Sequence, residues 1–141
     1  MLDVKDCYRE TPLQLAAHRE KHDIVRILLN KAANPNLINE SLNYPLHLAA
    51  RKRNAAIIHL LWEHSGLMNV TNEYGETALH ILARHGGDEL VRLLLMLKVD
   101  PKTANEFGHT ALHRASQSRN HTAVQILLQQ GCETEALYRH G

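Results

Sequence analysis

The chain has 141 residues, and 16 lysines and arginines against 15 aspartates and glutamates leave a formal net charge of +1. A balance this even excludes bulk attraction to nucleic acid or to an anionic membrane. No apolar run approaches the roughly 20 residues that cross a bilayer, so membrane insertion is not expected, and one Trp, one Phe and four Tyr leave the core to aliphatic side chains and alanine.

Along the chain a four-residue word recurs: Thr11-Pro12-Leu13-Gln14, Tyr44-Pro45-Leu46-His47, Thr77-Ala78-Leu79-His80 and Thr110-Ala111-Leu112-His113. Each starts 33 residues after the last, with no insertion or deletion. A fixed period of this length predicts one supersecondary unit stacked several times, not a single globular core. The units fall at about 4–36, 37–69, 70–102 and 103–135, and 136–141 reads as the start of a fifth, with Gly141 at its turn-glycine position. In the first, Thr11 caps a short helix bearing Ala16-Ala17, and a second helix carries Ile24, Val25, Ile27, Leu28 and Leu29. The second unit has Ala49-Ala50, then Ile57, Ile58, Leu60, Leu61 and Trp62. The third opens on the turn Asn72-Glu73-Tyr74-Gly75-Glu76, with Gly75 available for a positive φ. It caps on Thr77, breaks at Gly86-Gly87 and resumes with Leu90, Val91, Leu93, Leu94 and Leu95. The fourth carries Ala115-Ser116, then Val124, Ile126, Leu127 and Leu128. Each helix pair is too short and too apolar to stand alone, so stacking must bury it.

The second unit departs furthest from the pattern. Leu42 stands at the turn glycine and Tyr44 at the capping threonine. Leucine is costly at positive φ, so this turn is expected to take another shape, with Asn43 taking over the cap. Arg9 replaces the glycine and Gln14 the histidine in the first unit, so the turns entering units one and two are expected to be the looser ones. Glu20, Arg53 and Arg119 replace the glycine between helices, where polar side chains can point into a groove.

The pattern Asp/Asn-x-x-Gly-x-Thr-Pro/Ala-Leu-His, paired small residues, then Val/Ile-Val/Ile-x-x-Leu-Leu resembles the ankyrin repeat, over essentially the whole chain. The resemblance implies an α-rich solenoid of stacked ankyrin repeats, each a hairpin or turn, two antiparallel helices and a loop. Such arrays usually bind other proteins on a concave face formed by hairpin tips and first helices. It also implies that His47, His80 and His113 hydrogen-bond to backbone near the hairpin, in a network with the preceding threonine.

No catalytic, cofactor or metal site is expected: His-Glu-x-x-His and paired Cys-x-x-Cys are absent, and no phosphate loop or nucleophile elbow appears. Cys7 and Cys132 lie near opposite ends, too far apart in a stack for a disulfide. The period aligns Tyr8, Ser41, Tyr74 and Phe107 at one hairpin-tip position, and aromatic anchors suit interfaces. Glu10, Glu40, Glu73, Glu76 and Glu106 make the tips an acidic rim, while Arg19, Arg51, Lys52, Arg53, Arg84, His85 and Arg119 make a basic stripe on the first helices. The expected protein-binding patch is Arg51, Lys52, Tyr74, Glu76, Arg84, His85, Phe107 and His109, facing a partner segment with acidic side chains. The leading expectation is a non-catalytic adaptor or scaffold in the cytoplasm, with nuclear entry open. Two alternatives stand beside it: a stoichiometric inhibitor of a transcription factor or kinase, and the targeting fragment of a larger enzyme or channel. End repeats that read as uncapped leave self-association open as well.

Overall fold

A computed structural model describes residues 1–130; Cys132 and the fifth turn expected at 136–141 lie outside them. The described residues form eight helices and no strand: α1 (Pro12–His18), α2 (His22–Asn30), α3 (Pro45–Arg51), α4 (Ala55–Ser65), α5 (Ala78–His85), α6 (Asp88–Met96), α7 (Ala111–Gln117) and α8 (His121–Gln129). They pair within each unit and stack in two layers. The inner layer runs α1, α3, α5, α7; in the outer layer α2 packs on α4 and α6 on α8. Small residues permit the close inner packing: Ala17, Ala49, Ala50, Ala83 and Ala115 are fully buried. Leu13, Ile57, Ile58, Leu79, Ile81, Leu82, Leu94 and Leu127 fill the space between the layers.

Each unit begins with the same turn, built by one side chain. Asn72 Oδ1 accepts the N–H groups of Tyr74 and Glu76, both at 3.0 Å, and Asn72 N–H donates to the Glu76 carbonyl at 3.0 Å. Asp6, Asn39 and Asn105 make the same three bonds in their own turns. This is the Asx-turn chemistry that favours Asn and Asp at such positions. It forces the residue three places on into the left-handed region: φ is 61° at Arg9, 56° at Leu42, 73° at Gly75 and 78° at Gly108.

Two expectations are corrected here. The Leu42 turn has the regular shape, because three hydrogen bonds over-determine it and outweigh the local penalty. The turns entering units one and two are no looser internally than the others. Asn43 does not cap α3 either, since its side-chain Oδ1 accepts no hydrogen bond. Tyr44 occupies the cap position with extended backbone (φ −82°, ψ 160°), and His47 N–H falls on its main-chain carbonyl at 3.0 Å.

The same periodicity holds between the helices. Glu20, Arg53 and Arg119 take φ of 58°, 54° and 56°, matching Gly86 at 89°. Two of these side chains reach sideways to the neighbouring unit: Arg53 Nη1 donates to the His85 carbonyl at 3.4 Å, and Glu20 Oε1 accepts from Asn54 Nδ2 at 3.5 Å. The one irregular element is α4. It runs two residues longer than α2 and α6 and ends on Gly66 in the left-handed region (φ 67°).

Candidate functional site

The repeated histidines are wired into the backbone. Thr77 N–H donates to His80 Nδ1 at 3.1 Å, so the ring proton sits on Nε2, which donates to the His109 carbonyl of the next unit at 2.9 Å. His47 does the same between the Tyr44 N–H (3.1 Å) and the Glu76 carbonyl (2.9 Å). Both rings are buried, and burial holds both below the ordinary imidazole value, His47 down to about 4. Gln14 substitutes for the ring in the first unit: Oε1 accepts Thr11 N–H at 2.8 Å, and Nε2 donates to the carbonyls of Leu37 (2.9 Å) and Asn43 (3.0 Å). In the fourth unit His113 Nδ1 takes the Thr110 N–H at 3.0 Å, as the motif requires. These groups are couplers between units, with no nitrogen of His47 or His80 left for a ligand. Among the described residues no group of three His, Cys, Asp or Glu side chains is placed to hold a metal ion.

The basic stripe is exposed and clustered. Arg51 ends α3, Arg53 follows it, and Arg84 and His85 end α5. Burial first, then the positive charges of Arg84, Arg51 and Arg53, hold His85 below the ordinary imidazole value, and Arg53 Nη1 donates to the His85 carbonyl at 3.4 Å. Lys52 is exposed beside them as the C-cap of α3. Tyr74 (45% exposed) and Phe107 (61% exposed) project from successive turns.

Two members of the expected patch are placed otherwise. Glu76 is 3% exposed and is no part of an acidic rim. Arg114 forks onto its Oε1, with Nε at 2.7 Å and Nη2 at 2.6 Å. His109 is half-buried. Its ring lies against Phe107 (centroids 6.3 Å apart) and stacks on His113 (5.4 Å), and its carbonyl is spent on His80. The structure therefore leaves Arg51, Arg53, Arg84 and His85 exposed at and just beyond the ends of α3 and α5, and places Glu76 beneath the surface. Glu40, Glu73 and Glu106 remain as the exposed acids of the turns.

Arg114 is the residue that sequence reasoning passed over. One period earlier its position holds Ile81, and before that Leu48, both buried. A charge at a core-facing position with a carboxylate in the preceding turn is the signal that was there to find.

An open depression of about 610 Å³ runs past Arg53, Gly87, Asp88 and Arg92 at the start of α6. It mixes both charges and brings no nucleophile together with a base. No described helix is long and apolar enough to cross a membrane. The comparison with curated proteins gave no match. The family model of ankyrin repeats in three copies matches residues 2–67 and 46–137.

Proposed function

The chain belongs to the ankyrin repeat family, whose arrays mediate protein–protein interaction, and on that premise we propose a non-catalytic adaptor or scaffold that holds an acidic segment of a partner protein on its concave face. One observation carries this reading. Arg51, Arg53 and Arg84 are exposed and their charges all act on His85, while the Glu76 carboxylate, which also acts on that ring, is occupied by Arg114. Exposed cations that make no ion pair attract acidic side chains, accelerate encounter and make it salt-sensitive. Tyr74 and Phe107 add exposed aromatic surface on the turns, which an interface can cover at low entropic cost. Arg51, Lys52, Arg84 and His85 supply charge, and Tyr74 and Phe107 supply contact area. Glu76 and His109 act from below by fixing the turns. An exposed, unpaired Cys7 suits a reducing compartment, and the reading places the protein in the cytoplasm.

The test compares partner capture from cell lysate by the native chain and by Arg51→Glu, Arg84→Glu. Both side chains are exposed and neither makes a described ion pair, so melting should be unchanged while the captured partner is lost. Equal capture by both baits, with equal melting curves, would remove the concave face from the account.

A further inference from the structure

The seams between units are not equivalent, and the period makes the comparison direct. At the first and third seams, neighbouring turns are joined by a backbone hydrogen bond: Glu40 N–H to the Tyr8 carbonyl at 3.3 Å, and Glu106 N–H to the Tyr74 carbonyl at 3.0 Å. The matching bond at the second seam, Glu73 to Ser41, is missing. The loops after the outer helices tell the same story. Asn34 N–H donates to Asp3 Oδ1 at 3.0 Å and Asp100 N–H to Asn69 Oδ1 at 2.9 Å. Leu67 N–H, in the middle, turns instead to its own Ser65 Oγ at 3.3 Å. The outer helices agree: α2 packs on α4 and α6 on α8, but α4 and α6 make at most glancing contact.

Each gap has a cause in the sequence of unit two. Gly75 lies so close to the next turn that a Cβ there would stand 3.0 Å from Glu106 N. Leu42 carries that Cβ and its turn has lost the bond; Arg9 carries one too, and its turn keeps the bond at 3.3 Å against 3.0 Å beside Gly75. Trp62 stands where units one, three and four have Leu29, Leu95 and Leu128. Of the positions followed by a described unit, Leu29 is buried at 4% exposure and Leu95 is half-buried, whereas the bulkier Trp62 is 37% exposed. The two extra residues of α4, ending on Gly66, turn Leu67 away from Asn36. What still joins units two and three lies on the inner side: α3 against α5, His47 Nε2 to the Glu76 carbonyl at 2.9 Å, and Arg53 Nη1 to the His85 carbonyl at 3.4 Å.

We propose that the boundary between units two and three is a hinge. It pivots on the α3–α5 contact and joins two stiffer halves, and the acidic partner closes it by bridging Arg51 and Arg53 to Arg84. The second half of this statement rests on the function proposed above. Tight inner packing with a parted outer layer is the geometry of a pivot, because rotation there breaks few contacts. The three arginines lie on both sides of that pivot, so approach of the halves crowds like charges. A carboxylate-bearing segment between them removes the repulsion and adds attraction only in the closed state, which is the differential affinity a shift in population requires.

Asn30, Glu63, Met96 and Gln129 are equivalent, exposed positions near the outer ends of the four outer helices, away from the arginines. On a chain carrying Cys7→Ser and Cys132→Ser, cysteine pairs at 30/63, 63/96 and 96/129 would be spin-labelled and their distance distributions measured. The 63/96 distribution should be about twofold broader than the other two. It should narrow when an octaglutamate peptide binds, with binding followed separately by the anisotropy of a labelled peptide. Three equally narrow distributions would overturn the hinge, whatever the peptide does. A broad 63/96 pair that ignores bound peptide would overturn the coupling and leave the binding site standing. A broad pair with no peptide binding would overturn both the closing step and the acidic-partner reading, and leave the hinge. Trp62→Leu with Leu42→Gly, which restores the residues of the regular units, should narrow the 63/96 pair without peptide; no change would refute the cause assigned to it.

Discussion

Units two and three share one backbone and hold their following neighbours in opposite ways. Unit three has its turn bonded to the next, its outer helix packed on α8, and its Glu76 gripped by an arginine from α7. Unit two lacks the first two and has Asn43 where Glu76 would be, with Asn43 Oδ1 buried and unpartnered. The dihedral pattern registers this difference at one place only: after the outer helix the left-handed residue is Gly66, one position later than the period from Ala32 to Lys98 requires. Stacking strength in a solenoid therefore resides in a few residues at the points of closest approach, and it varies from seam to seam while the repeat geometry stays fixed.

The comparison can be broken most severely at the third seam. Arg114→Ala should destabilise the chain by about 4 kcal/mol, because it strands a buried carboxylate. Replacing both partners, Glu76→Leu with Arg114→Leu, should recover most of that loss. Urea titration of the two variants checks the pair, and a single-variant cost no larger than that of a surface substitution would show that the ion pair contributes little.

Acid should strike the second and third seams together, through His47 and His80. The folded-state pKa of His47 lies near 4 against an unfolded value of 6.5, so between these values the unfolded chain takes up the proton first. Stability is complete above the unfolded value and falls as pH drops from 6.5 towards 4, by up to about 3 kcal/mol for His47 alone. His47→Gln borrows the wiring of Gln14, which does not titrate. It should flatten part of the decline in melting temperature across that window, and an unchanged slope would exonerate His47.

A smaller effect of opposite sign is expected at Leu42. Leu42→Gly removes a side chain from the left-handed region, where non-glycine residues cost about 1–2 kcal/mol. Part of that gain is offset by the greater freedom of glycine in the unfolded chain, leaving a net increase of about 0.5–1 kcal/mol. Thermal melting measures it. A loss of stability would mean that the exposed Leu42 side chain packs favourably where it is.

How much of this was legible in the sequence follows from the distance over which each cause acts. The period and the helix pairs could be read because each is written within a few residues and repeated, and the histidine wiring followed from the family resemblance that this repetition carries. Leu42 was misread because its local penalty was weighed without Asn39, whose side chain dictates the turn. Glu76 was misread because the arginine that buries it lies 38 residues on, in the next unit. The basic cluster was read from positions on the first helices, but Arg53 joins it only through the left-handed residue between helices. Trp62 reads as one more apolar residue until its neighbours at the same position are seen to be leucines.

Glu76 sits next to His47 and His85 in electrostatic terms as well as beneath the arginines. While α7 is in place, its carboxylate is occupied. On the proposed function, unravelling of the fourth unit would release that carboxylate as an internal competitor for the acid the arginines are proposed to hold. Readiness to bind would then report that folding has gone to completion: a partly assembled array would mask its own groove, and docking of the last helix pair would uncover it.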